Sequence, residues 1–104
     1  MLTFSLFVLL QYGSPKAKFV AASLGQTVQG SKTGDGLILD AMEHVADGKT
    51  YPEFAGNVAS VYTHPLENTP GSSGGHYGGD ALTYMNIGEA MGDAMVKMLA
   101  ADEN

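Results

Sequence analysis

Three histidines, at positions 44, 64 and 76, are the groups of this sequence best suited to proton transfer near neutral pH, and the chain has no cysteine. His76 has the surroundings that chemistry needs. It sits in the segment Gly71 to Asp80, GSSGGHYGGD, where Gly74, Gly75, Gly78 and Gly79 remove side-chain bulk around the imidazole and leave room for a substrate. Histidine is the side chain whose unperturbed titration lies nearest neutrality, as a general base requires. His64 follows an apolar run and precedes Pro65, so it either lines the same region or is structural or exposed. His44 stands beside Glu43 and reads as solvent-facing. The three histidines lack any recognised metal-ligand spacing, so neither a metal nor another cofactor is expected.

Other chemistry is excluded by composition. The net charge is −6, the five cationic residues are all lysines, and they are scattered. Nucleic-acid phosphates and anionic membranes both need a basic stripe that is missing here. The glycine-rich loop before the last helix has no Lys and no Walker pattern, which argues against phosphate binding. Without cysteine there are no disulfides or thiolate metal sites.

The elements that must position His76 can be read from periodicity. Ala17 to Leu24 (AKFVAASL) and Val58 to Thr63 (VASVYT) are short apolar runs without helical period, as expected of buried strands. Between them, Ile38, Ala41, Met42 and Val45 recur with helical spacing over Leu37 to Asp47, with Asp35 as a cap and Gly48 as the stop. From Ala81 to Ala100, the residues Tyr84, Ile87, Gly88, Met91, Met95 and Met98 form a stripe that reads as core packing, with Gly88 and Gly92 allowing close approach to a sheet. Asp80 stands where a helix N-cap belongs. Met1 to Leu10 is apolar but has no basic residue before it and is followed by a poor cleavage region. It reads as a helix packed on a sheet, or its displaced remnant, rather than as a signal peptide. It is far short of the roughly 20 residues that span a bilayer.

The expected order is therefore α-β-α-β-α, an α/β chain with a parallel βαβ unit. Chemistry in such sheets gathers beyond the carboxyl ends of the strands. Three segments fall there: Gly25-Gln26-Thr27, Thr63-His64-Pro65 and Gly71 to Asp80. Gln26, His64 and Tyr77 are thus candidate substrate-binding residues around a catalytic His76. Two strands do not complete an open sheet, which usually has four to six. The 104 residues, 15% of them charged, look like the interior of something larger, so the chain is expected to be one incomplete domain.

The stretches GNVASVYTHPL and SSGGHYGGDALTYMNIGEAMGDAM, preceded by SPKAKFVAASLGQT and YPEFAGNVA, resemble the C-terminal block of sialate O-acetylesterase-domain proteins of the SGNH-hydrolase superfamily, over about residues 12 to 100. The resemblance implies a flavodoxin-like three-layer α/β/α fold and hydrolysis of O-acetyl esters, often on carbohydrates, by proteins that are often exported. It implies that His76 takes the proton of a serine nucleophile. The nucleophile motif, a Gly-Asp-Ser or Gly-Gln-Ser type of turn, and the oxyanion-hole blocks are missing, and would belong to an N-terminal part of the domain. Gly25-Gln26-Thr27 carries Thr and reads as the end of a late strand. The superfamily often places an Asp three residues before the His; here that position is Ser73. Asp80 is a poor substitute, and Glu67 is possible. The function expected is that of a C-terminal esterase portion supplying the histidine, with an acetylated carbohydrate or other small ester as substrate. The alternative is a non-catalytic module or carbohydrate-binding remnant.

Overall fold

The computed structural model describes residues 16–69, 71 and 75–103. They form β1 (Phe19–Ala22), α1 (Gly34–Ala46), β2 (Val58–Val61) and α2 (Ala81–Asp102), with short 3-10 turns at Pro52–Phe54 and His64–Leu66 and a left-handed turn at His76–Gly79. The expectations for Met1–Leu10 and Ser73 lie outside the described residues.

β1 and β2 pair in parallel, Phe19 opposite Val58 and Ala22 opposite Val61, with α1 as the connection between them. The chain is a small mixed α/β domain with a two-stranded parallel sheet. Alternation along each strand puts Phe19 and Val58 on one face. There they pack with Phe54, Val45 and Ala46. α2 packs against both strands. Lys18 lies on the side of β1 opposite Phe19, and its side chain is only 4% exposed. Its ammonium meets Asp102 Oδ2 at 2.6 Å, Asn57 Oδ1 at 2.7 Å and the Gly56 carbonyl at 3.1 Å. Three oxygens around a three-donor group are what a buried ammonium needs.

Both strands are shorter than the apolar runs that announced them. Beyond Ala22 and Val61 the ladder passes to side chains. Ser23 N–H still donates to the Val61 carbonyl, but Thr63 N–H donates to Ser23 Oγ (3.0 Å) and Thr63 Oγ1 donates to the Ser23 carbonyl (2.9 Å). Ser23 and Thr63 are both buried.

α1 departs from expectation in two ways. It begins at Gly34 rather than Leu37, and Asp35 is inside its first turn rather than capping it; Thr33 holds the cap position. The cause is Ser31, whose Oγ accepts from Thr33 N–H and draws the loop tightly onto the helix start. Gly36 is consequently buried against Ser31. The inward face is also rotated. Leu39 is 2% exposed and Ile38 is 57% exposed. A two-stranded sheet is a narrow platform, so a narrow stripe of the helix covers it. Ile38 and Met42 instead flank a largely apolar groove of about 270 Å³ with Ala22, Leu24 and Thr27.

In α2 the buried residues are Thr83, Ile87 and Met98, whereas Tyr84 is 48% exposed. Gly88 and Gly92 do not serve close packing among the described residues, because a Cβ at either position would meet nothing within 4 Å. Phe54 lies in the 3-10 turn between α1 and β2. It belongs to the core, with the Tyr51 ring 5.9 Å away.

Asp47, at the carboxyl end of α1, closes a local turn. Its carboxylate accepts from the N–H groups of Lys49 (2.7 Å) and Thr50 (2.8 Å) and from the Thr50 hydroxyl (2.7 Å). These bonds, led by that of Lys49, pull its pKa down to about 2. A carboxylate whose pKa is lower in the folded state contributes stability above its unfolded pKa of about 4. That contribution is lost as pH falls towards 2. Asp47→Asn is therefore expected to lower the melting temperature at pH 6 and to narrow its difference from the unsubstituted chain at pH 2.5, as read by circular dichroism. An equal difference at both pH values would refute the assignment.

Candidate active site

Parallel pairing sends both strands towards the same end of the sheet, so the segments that follow them meet there. After Ser23 the chain turns through Leu24–Thr27, closed by Thr27 N–H on the Leu24 carbonyl (3.0 Å). After Thr63 it enters the His64–Leu66 turn, where Pro65 suits the first helical position. His64 Nδ1 lies 2.8 Å from the Gly25 carbonyl oxygen. A carbonyl only accepts, so Nδ1 carries the proton in this contact and Nε2 of the neutral ring is left with its lone pair. The ring stacks on Tyr62 at 6.3 Å. His64 thus binds the two strand-end loops together.

The third segment arrives by an unusual route. Gly75 to Gly79 all have positive φ, including His76 (52°) and Tyr77 (53°). For residues bearing a Cβ this left-handed conformation costs roughly 1–2 kcal/mol each. The turn is closed by Gly78 N–H on the Gly75 carbonyl (3.0 Å) and Asp80 N–H on the Tyr77 carbonyl (2.9 Å). Asp80 then caps α2, accepting from Thr83 N–H at 3.0 Å and from the Thr83 hydroxyl. Asn68 N–H donates in turn to Thr83 Oγ1 at 2.9 Å. Bonds from the Thr83 side chain first, then from its N–H and from Asn68, hold the Asp80 carboxyl below the usual carboxylate range. The Asp80 carboxylate is committed to the helix start and makes no hydrogen bond to the His76 ring.

These segments enclose a cleft of about 300 Å³. Leu24, Gly25 and Gln26 form one wall, and Gly75, His76, Tyr77 and Tyr84 form the other. Three of the four site residues expected from the sequence, Gln26, His76 and Tyr77, therefore face one space. His64 does not line it, and instead supports the Gly25 wall from behind through the carbonyl bond. The His76 ring is exposed and makes no hydrogen bond to any described residue, so it is open to an incoming proton donor. His44 stands apart, with Nδ1 on the carbonyl of Asp40 one helical turn before it. Tyr84 was missed. Its helical spacing with Ile87 and Met91 suggested core, and the signal for the cleft was its place in the first turn after the glycine loop.

Chemically, the cleft offers an imidazole with no hydrogen bond to any described residue, a side-chain amide at Gln26 and two phenol rings. That set can accept a proton and orient a polar ligand. No group of three His, Asp or Glu side chains suited to a metal ion occurs among the described residues, and no described helix is long and apolar enough to cross a membrane. In comparisons with known proteins, no protein-family model, no curated protein and no solved structure matches this chain.

Proposed function

We propose that this chain is the C-terminal portion of an SGNH-type, flavodoxin-like carbohydrate O-acetylesterase domain, in which His76 is the general base. The observation that carries the proposal is the cleft: Gln26, far in sequence from the neighbours His76 and Tyr77, borders one space with them at the carboxyl end of the parallel strands. In the complete domain a serine from the N-terminal part would place its hydroxyl within about 3 Å of the imidazole. His76 would take that proton as the serine attacks the acyl carbon, and return it to the leaving alkoxide. Support also comes from the apolar groove between the end of β1 and α1, an apolar surface that the rest of such a domain would cover. The substrate class is an acetylated carbohydrate or another small ester.

The chain by itself has no Gly-Asp-Ser or Gly-Gln-Ser nucleophile turn. A base without a nucleophile and oxyanion donors has nothing to activate. The purified chain is accordingly expected to hydrolyse an activated acetyl ester no faster than free imidazole at equal concentration. Faster turnover that survives His76→Ala would overturn the proposal. The reading frame upstream of Met1 is expected to continue into a segment with a Gly-x-Ser turn. A promoter and ribosome site directly before Met1 would favour the second reading, a non-catalytic carbohydrate-binding remnant. One observation favours that alternative: no described hydroxyl or carboxylate hydrogen-bonds the His76 ring.

A further inference from the structure

Tyr84 touches both strained residues of the left-handed turn. Its hydroxyl donates to the His76 carbonyl at 2.9 Å. Its ring meets that of Tyr77 edge-on, with centroids 5.0 Å apart and planes at 86°. Edge-to-face pairs of this separation are attractive beyond the area they bury. Tyr84 stands on α2, an element fixed independently of the turn by the burial of Ile87 and Met98 and by the Lys18–Asp102 ion pair. Among the described residues the turn is otherwise held by its own two backbone bonds, Gly78 N–H on the Gly75 carbonyl and Asp80 N–H on the Tyr77 carbonyl. Cβ atoms built at Gly75, Gly78 and Gly79 would meet nothing within 4 Å, so the loop is not wedged in place by packing. A strained backbone conformation persists only where its surroundings over-determine it.

We infer that Tyr84 is a positioning residue for His76, a clamp that keeps the His76–Tyr77 backbone left-handed and so keeps the imidazole on the wall of the cleft. This deepens the esterase reading and rests on it for its functional meaning, but the clamp is a physical claim about this chain alone. The phenol does two separable things. The hydroxyl bond fixes the His76 carbonyl, and hence the peptide plane between His76 and Tyr77. The ring fixes the Tyr77 side chain. Removing the hydroxyl should release the first while leaving most of the second.

The test is nuclear magnetic resonance on the full chain, using the one-bond Cα–Hα coupling, which separates positive from negative φ. In the unsubstituted chain His76 and Tyr77 are expected to show positive φ, with cross-relaxation between the Tyr84 ring and the His76 Hα. Tyr84→Phe is expected to move His76 to negative φ in at least half of the molecules, with the signals of β1, β2 and α1 unchanged. Tyr77→Phe, which keeps the ring, is expected to leave His76 as it was. If His76 keeps its positive φ in Tyr84→Phe, the inference is overturned. If Tyr84→Phe does not fold, the unsubstituted chain decides: negative φ at His76, or no contact to Tyr84, also overturns it. Failure of the esterase reading is visible elsewhere, as undiminished turnover after His76→Ala in the complete enzyme, and leaves this measurement untouched.

Discussion

His76→Ala, placed in the complete esterase domain that this chain is proposed to finish, is expected to lower turnover by about 10⁴-fold or more, the usual effect of deleting one member of a nucleophile–base unit. KM should change little, because the ring's part is to move a proton and not to hold the ground state. His64→Ala is the informative control. His64 spends Nδ1 on the Gly25 carbonyl and lies behind the cleft wall. Its loss should shift Gln26 and cost at most about 10²-fold, the scale of a small misplacement remote from the reacting atoms. If His76→Ala keeps near-normal turnover while His64→Ala abolishes it, the base is His64. If both remain active, the mechanism is wrong for this protein.

Gly36→Ala should destabilise the fold strongly. A Cβ at Gly36 would lie 2.1 Å from the Ser31 carbonyl oxygen, 2.6 Å from its carbonyl carbon and 2.7 Å from its Cβ. Backbone atoms cannot swing aside as a flexible side chain can, so either the loop or the helix start must move. Overpacking of this kind costs roughly 1–3 kcal/mol. A small domain has little stability to spare. At about 4–8 °C per kcal/mol for a chain of this size, the melting temperature should fall by roughly 5–20 °C. Gly34→Ala is the control: its Cβ would meet nothing within 4 Å, and its melting temperature should hold or rise slightly. A Gly36→Ala chain as stable as the Gly34→Ala chain would show that the close approach to Ser31 is not real.

The parallel βαβ unit was legible because each strand is a compact apolar run between glycine- or proline-rich breaks, with a helical period between the two. The strand ends were not, because Ser23 and Thr63 replace ladder bonds with side-chain bonds that no periodicity announces. The meeting of Gln26 with His76 and Tyr77 was legible for a geometric reason: parallel strands deliver their following loops to one end. What failed were the helix faces. Ile38 looked inward on period alone, but which residues a helix buries depends on how wide a sheet lies beneath it. In α2 the expected Ile87 and Met98 are buried, but at the helix start the hydroxyl of Thr83 bonds to Asp80 and Asn68 and takes the inward place, and Tyr84 faces the cleft. Gly36 was unreadable for a similar reason, since its need for glycine comes from Ser31 and not from its own neighbours.

The ion pair between Lys18 and Asp102 has a consequence for how the chain is made. Lys18 is translated well before Asp102, yet the folded chain brings the ammonium of the one against the carboxylate of the other. The start of β1 must therefore wait, its charge in water, until the last turns of α2 have been made. Contacts so far apart in sequence form slowly. In that interval the unpaired edges of β1 and β2 are open to chaperones, or to any other strand that reaches them first.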